Sequence, residues 1–162
     1  MRPGLSYTLD DYFRKNFDPG IIPLFKDELG FTDEELEGEY QFWQNWVATR
    51  VPEAYPGMRE ILERYKARGG KIAVVSHSVS DVIRRDYREN GLPEPDLIFG
   101  WELPPEHRKP HVWPLEQIMA EFQLAPEQLL MLDDLKPGYD MCRAAGVPFA
   151  AAGWANDIPE IE

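Results

Sequence analysis

Four residues in this sequence have types and spacing that could do chemistry together: a serine, a lysine and two adjacent aspartates. Ser76 closes the apolar run KIAVVS, Asp133 and Asp134 follow the apolar run LLML, and Lys109 stands between them in HRKPH. In parallel α/β sheets, ligands bind beyond the carboxyl ends of the strands, where side chains and free backbone amides converge. A hydroxyl donor, a fixed cation and an acidic pair are the groups needed to hold a phosphoryl group beside Mg²⁺. Taken singly, each has an ordinary explanation. A serine after a strand caps a helix, acids before a Pro-Gly turn are solvated, and a lysine in a charged loop lies on the surface. The combination is what points to a site.

The elements that must position these residues can be read from hydrophobic periodicity. Before Pro52 to Gly57 the chain is aromatic and acidic, and Leu24, Phe25, Phe42, Trp43 and Trp46 have spacings that suit short helices. Thr32, followed by Asp33, Glu34 and Glu35, has the character of a helix start. After Gly57 helices and strands alternate, the signature of an α/β sheet. Met58, Ile61, Leu62 and Tyr65 form one helical face that ends at Gly69 and Gly70, and Lys71 to Ser76 reads as a buried parallel strand. A helix is predicted from Ser80 to about Asn90, a short strand at Leu97 to Phe99, and a helix carrying Leu115, Ile118, Met119 and Phe122 after Pro114. The strand Leu129 to Leu132, a helix around Gly138 to Ala145 and a final strand at Pro148 to Ala152 complete the pattern.

Composition bounds the function. With 162 residues and 43% hydrophobic content, the chain can bury a core as one domain, or as one domain with an insert. A formal net charge of −12 repels polyanions and argues against nucleic acid as a partner. A small phosphorylated metabolite needs only a few local donors and a cation, so it remains the expected partner. Cys142, the single cysteine, cannot form an intrachain disulfide, which fits a reducing compartment. The first residues carry no apolar signal region, and no stretch reaches the roughly 18 to 20 apolar residues of a membrane span, so no membrane is expected and a cytoplasmic location is. No Gly-x-Gly-x-x-Gly follows any strand, against dinucleotide binding. A receiver domain would carry its acidic pair near the start of the chain.

The ordered segments YPGMREILERYKARGG, KIAVVSHS, RKP and LLMLDDLKPGYDMCRAAGV, within residues 55 to 153, resemble the haloacid dehalogenase (HAD) superfamily from the helix before its second motif through its fourth. The resemblance implies an α/β fold with a Rossmann-like parallel sheet. Residues 1–54 would be a helical cap remnant and 55–162 the HAD-like core. It also implies a Mg²⁺-dependent phosphohydrolase working through an aspartyl-phosphate. Ser76 and the His77 amide would bind the phosphoryl group, Lys109 would neutralise charge on it, and Asp133 and Asp134 would hold Mg²⁺, with Asp140 a weaker alternative acid. In the cap, Phe42, Trp43 and Trp46 could line a substrate cleft, although core packing is the default for such a cluster. Arg50 could meet a substrate anion, with an exposed helix-end role as its default.

One part of the pattern is missing. The family's first motif, a strand ending in Asp-x-Asp-Gly-Thr, supplies the nucleophile and the acid-base residue, and nothing here matches it. Asp10, Asp11 and Asp18 read as cap or turn residues. The missing strand would lie centrally, between those ending in Ser76 and Asp133, and each backbone group left buried and unpaired costs about 1 to 3 kcal/mol. Three resolutions are open: the neighbours pair directly, a partner such as a second copy fills the slot, or the sequence is a piece of a longer reading frame. The last is favoured because RPGLSYTLDDYF reads like the middle of a cap. The expected function is thus a HAD-type phosphohydrolase, with these 162 residues inactive for want of the nucleophile. The alternative is a non-catalytic binding or assembly protein that keeps the phosphate and Mg²⁺ pocket.

Overall fold

The computed structural model describes residues 6–154. Among the described residues, the elements before Pro52 are all helical. Helix α1 (Leu9–Lys15) starts at Thr8, whose hydroxyl accepts from the Asp11 N–H. Wide helical turns at Asn16–Gly20 and Leu24–Glu28 flank the short α2 (Ile21–Pro23), with a kink at Asp18. Helix α3 (Asp33–Ala48) begins with the expected capping box: Glu35 N–H donates to Thr32 Oγ1 at 3.2 Å, and Thr32 N–H donates to Glu35 Oε2 at 2.8 Å. Leu24 and Phe25 are buried, and Phe25 meets Phe31 edge to face.

The remaining elements alternate as the sequence predicts. They are α4 (Met58–Ala67), β1 (Ala73–Val75), α5 (Ser80–Glu89), β2 (Leu97–Phe99), α6 (Trp113–Phe122), β3 (Met131–Asp133), α7 (Lys136–Ala145) and β4 (Phe149–Ala151). The strands make two separate parallel pairs, β1 with β2 and β3 with β4. Direct pairing of the Ser76 strand with the Asp133 strand, one of the expected repairs, is therefore not observed. Both pairs instead pack against one cluster of Leu115, Ile118, Met141, Cys142 and Val147 from α6, α7 and the turn after α7. Ala73, Val75, Leu97 and Phe99 reach this cluster from one pair, and Met131 and Phe149 from the other.

Several boundaries differ from expectation for local reasons. The third strand starts at Met131 because Pro126–Gln128 forms a helical turn first, and pairing begins with Met131 N–H donating to Pro148 O at 3.0 Å. Helix α7 starts at Lys136, two residues before Gly138, since Pro137 suits a first helical turn. The face of α4 is only half covered: Ile61 and Tyr65 are exposed while Met58 and Leu62 are partly buried.

The helical segment is tied to the core by polar contacts. Arg85 of α5 donates to Val47 O at 2.6 Å and Arg50 O at 2.9 Å, satisfying carbonyls at and beyond the end of α3. Asn90 bridges the connecting strand of chain, donating to Pro52 O and accepting from Ala54 N–H.

Candidate active site

The local chain directions bring the sequence-predicted groups to the carboxyl ends of both strand pairs. Pairing of β1 continues one residue beyond it, where Ser76 N–H donates to Phe99 O at 2.9 Å. Pairing of β3 likewise ends with Ala152 N–H donating to Asp133 O at 2.9 Å. Lys109 reaches between them. It is 8% exposed, contrary to the surface default for a lysine in a charged loop, and its Nζ donates to Asp133 Oδ2 at 2.6 Å. The Lys109 carbonyl lies 3.3 Å from His77 Nε2, so the loop after β1 is joined to the same group.

A buried lysine is unstable unless a carboxylate faces it, and a buried carboxylate needs the reverse. Here each satisfies the other, with the two side chains 6% and 9% exposed. Asp133 Oδ1 also accepts from Asp134 N–H at 2.9 Å, fixing both oxygens of that carboxylate. Burial pushes the Asp134 carboxyl above the usual carboxylate range, and the charge of Asp133 pushes it further. Burial also holds the His77 imidazole below its ordinary value, with the Lys109 charge acting in the same direction. His77 is thus biased to the neutral form. The Ser76 hydroxyl accepts from Ser78 N–H at 3.0 Å, the local hydrogen bond expected of a serine after a strand. Its own O–H has no protein acceptor among the described residues and can donate to a ligand.

The donor set suits a hard divalent cation. Asp133 and Asp134 offer oxygen, two like charges sit together, and the second carboxyl is destabilised in its charged form by that proximity. No third His, Cys, Asp or Glu joins a metal-binding cluster among the described residues. Mg²⁺ is commonly held by one or two carboxylates with water and substrate phosphate completing its shell, so two are enough. Asp140 is ion-paired to Lys136 at 2.6 Å. Asp11 accepts from Thr8 Oγ1 at the start of α1, and Asp18 lies 3.5 Å from Lys136, which agrees with cap and turn roles for them. Cys142 is fully buried, and burial raises its thiol to about 11, so it packs the core.

The chain matches the family model for haloacid dehalogenase-like hydrolases over residues 6–152. It belongs to that family. The pyrophosphatase PpaX of Bacillus cereus is 26% identical over 153 residues, covering 92% of this chain and 71% of that protein. A haloacid dehalogenase-like hydrolase from Bacteroides fragilis superposes with a TM-score of 0.77 at 22% identity, over 98% of this chain and 77% of the other. CbbY from Rhodobacter sphaeroides, solved in complex with phosphate, superposes with a TM-score of 0.55 at 21% identity, over 64% of this chain and 47% of its own. The haloacid dehalogenase-like match extends through the helical segment as well as the core.

Three features of the site were not found from the sequence. A Cβ on Gly138 would come within 2.0 Å of Asp133 Oδ2, so only glycine lets the start of α7 approach that carboxylate. Its signal was the Pro-Gly after the acids, which reads merely as a turn. Arg108 stacks over Trp101 with its guanidinium carbon 4.1 Å from the ring centroid, directly before Lys109. Glu102 accepts from Ser80 N–H at 3.2 Å and from the Ser80 hydroxyl, holding the start of α5 to the loop after β2. The cap aromatics also differ from the core-packing default: Phe42 and Trp46 are 66% and 51% exposed and line a shallow groove with Glu39 and Trp43. Arg50 is exposed, stacks on Trp46 and follows its helix-end default.

Proposed function

We propose that this site is the phosphate and Mg²⁺ pocket of a phosphate monoester hydrolase of the HAD class. The observation that carries the reading is the buried Lys109, held by Asp133 at the point where the Ser76 loop and the Asp133–Asp134 pair converge. The Ser76 hydroxyl and the His77 amide would donate to the phosphoryl oxygens, and Lys109 would neutralise their charge. Asp133 and Asp134 would hold Mg²⁺, which polarises the phosphoryl group when bound. Residues 1–54 would act as the lid and 55–162 as the core, in a cytoplasmic setting. No helix of the described residues is long and apolar enough to cross a membrane.

The 162 residues contain no Asp-x-Asp pair. With no carboxylate nucleophile the aspartyl-phosphate cannot form by the family route, so these residues alone bind without turnover. Inorganic phosphate titrated into the protein in excess Mg²⁺ should bind, and Lys109→Gln should abolish binding while retaining a donor to Asp133. Hydrolysis of an aryl phosphate with Mg²⁺, lost on Asp134→Asn, would overturn the inactivity. Because PpaX is named a pyrophosphatase, inorganic pyrophosphate is the natural second probe.

A second reading, a non-catalytic assembly protein that keeps the pocket, is favoured by the divided sheet. Leu132 in β3 and Leu130 just before it are 51% and 69% exposed, and a second copy of the chain is the candidate cover. Light scattering at several concentrations tests it, and a concentration-independent monomer counts against it.

A further inference from the structure

We propose that Arg108, stacked on Trp101, forms a second anion subsite beside the phosphoryl pocket, so that the preferred ligand carries two anionic groups. The inference rests on the phosphate reading of the Lys109 site and adds the class of compound that the site selects.

Four observations place it. Arg108 is the chain neighbour of Lys109, whose Nζ and carbonyl both face the site. Its guanidinium carbon lies over the Trp101 ring, 4.1 Å from the centroid, and Trp101 meets the His77 ring edge to face at 5.9 Å. The backbone at Trp101 is fixed, because its main-chain N–H donates to Ser78 O at 2.9 Å in the phosphate loop. The indole thus connects the cation to that loop.

The guanidinium is also underused. Its Nε donates to Leu103 O, while neither terminal nitrogen has a hydrogen-bond acceptor and no carboxylate among the described residues is ion-paired with it. Glu102, the nearby acid on the same loop, is committed to Ser80. Burial lowers the Arg108 pKa from its ordinary value, a sign of partial desolvation, yet arginine stays charged. A fixed, partly desolvated planar cation with two free terminal nitrogens suits bidentate recognition of a carboxylate or phosphoryl group. Stacking on an aromatic face reduces the rotamer freedom lost on binding. A lone phosphoryl group in the Lys109 pocket would leave these donors unused.

Three non-hydrolysable probes test this by titration calorimetry in excess Mg²⁺: methylphosphonate with one anionic group, phosphonoacetate with an added carboxylate, and methylenediphosphonate with an added phosphonate. At least one two-anion probe should bind about tenfold or more tighter than methylphosphonate, as one charge-assisted bidentate contact implies. Arg108→Gln should erase that preference and leave methylphosphonate affinity within about twofold, whereas Arg108→Lys should keep part of it. Whichever two-anion probe gains more identifies the second group as carboxylate or phosphoryl. The methylphosphonate affinity reports the integrity of the loop, so a merely structural role for Arg108 would lower all three affinities together and overturn the proposal. A preference that is absent, or that survives Arg108→Gln, overturns it and leaves the phosphate reading intact. Methylphosphonate binding that does not depend on Lys109 overturns both.

Discussion

The two strand pairs of this protein have the same length and are each parallel, but they differ in where they are held. The β1–β2 pair is fastened at its beginning, away from the site. Asp96 accepts from Ile72 N–H at 2.9 Å and from Lys66 Nζ at 2.8 Å, and Lys71 Nζ lies 3.4 Å away. The backbone amide is the largest influence holding the Asp96 carboxyl down to about 2, followed by Lys66. The β3–β4 pair is fastened at its end, inside the site, by the Lys109 contact to Asp133 and the close approach of Gly138. One pair therefore carries its electrostatic clamp apart from the proposed site. In the other the groups that clamp the fold are the ones proposed to bind, so changes in the two should have different consequences.

The largest effect is expected at Lys109. Lys109→Met leaves the Asp133 carboxylate buried without its cation, and breaking such a pair costs about 3 to 5 kcal/mol. Urea denaturation should show that loss, together with abolished phosphate binding. A stable Lys109→Met protein would mean that Asp133 has an alternative partner and that the β3–β4 clamp is misplaced. Gly138→Ala comes next. Its methyl would collide with the carboxylate, and overpacking of this kind costs about 1 to 3 kcal/mol. Because the collision is with a proposed metal ligand, Mg²⁺ affinity should fall in the same variant. Unchanged Mg²⁺ affinity would separate the stability role of Asp133 from its binding role.

How much of this was legible follows from the range over which each feature is determined. The capping box at Thr32 and Glu35, the strand at Leu97–Phe99 and the helix carrying Leu115 and Ile118 depend on neighbours a few residues away, and the sequence pattern found them. The positions of Ser76, Asp133 and Asp134 followed from the ends of apolar runs, and that of Lys109 from its place between them in HRKPH. Burial of Lys109 did not, because it depends on a carboxylate 24 residues along the chain. Gly138 was missed although Asp133 is close in sequence, because its requirement depends on how near the start of α7 comes to that carboxylate, which no residue pattern encodes. The exposure of Ile61, Tyr65, Phe42 and Trp46 contradicts their helical spacing, which specifies a face but not whether anything covers it.

The clamp on the other pair should respond to acid and leave binding alone. Asp96→Ala removes the acceptor for the buried Ile72 N–H, an expected loss of about 1 to 2 kcal/mol, with the partly exposed lysine contacts adding little. The sign with pH follows from the depressed folded-state value. An Asp with an ordinary pKa near 3.9 in the unfolded chain is held at about 2 when folded, so its stabilisation is complete above roughly pH 4 and is lost as pH falls through about 2. Denaturation curves between pH 5 and pH 2 should therefore converge for Asp96→Ala and the unaltered protein. Phosphate affinity at neutral pH should be the same in both. A binding defect in Asp96→Ala would show that the two pairs are not energetically separate.

The smallest effect is expected on the open face of β3, and it discriminates most finely between the pairs. Leu132 is 51% exposed, although it lies between Met131, which packs on the core, and Asp133, which pairs with Lys109. If that face stands free in solution, Leu132→Ser removes little buried apolar area and should change stability by no more than about 0.5 kcal/mol. If a second copy covers it, the same substitution removes a buried leucine, whose truncation costs about 2 kcal/mol or more, and the loss should grow with protein concentration. Denaturation of both proteins at two concentrations tenfold apart distinguishes these cases. A small, concentration-independent change leaves β3–β4 anchored by its site alone. A large, concentration-dependent one gives the pair a second anchor outside the chain and makes assembly part of how the site is built.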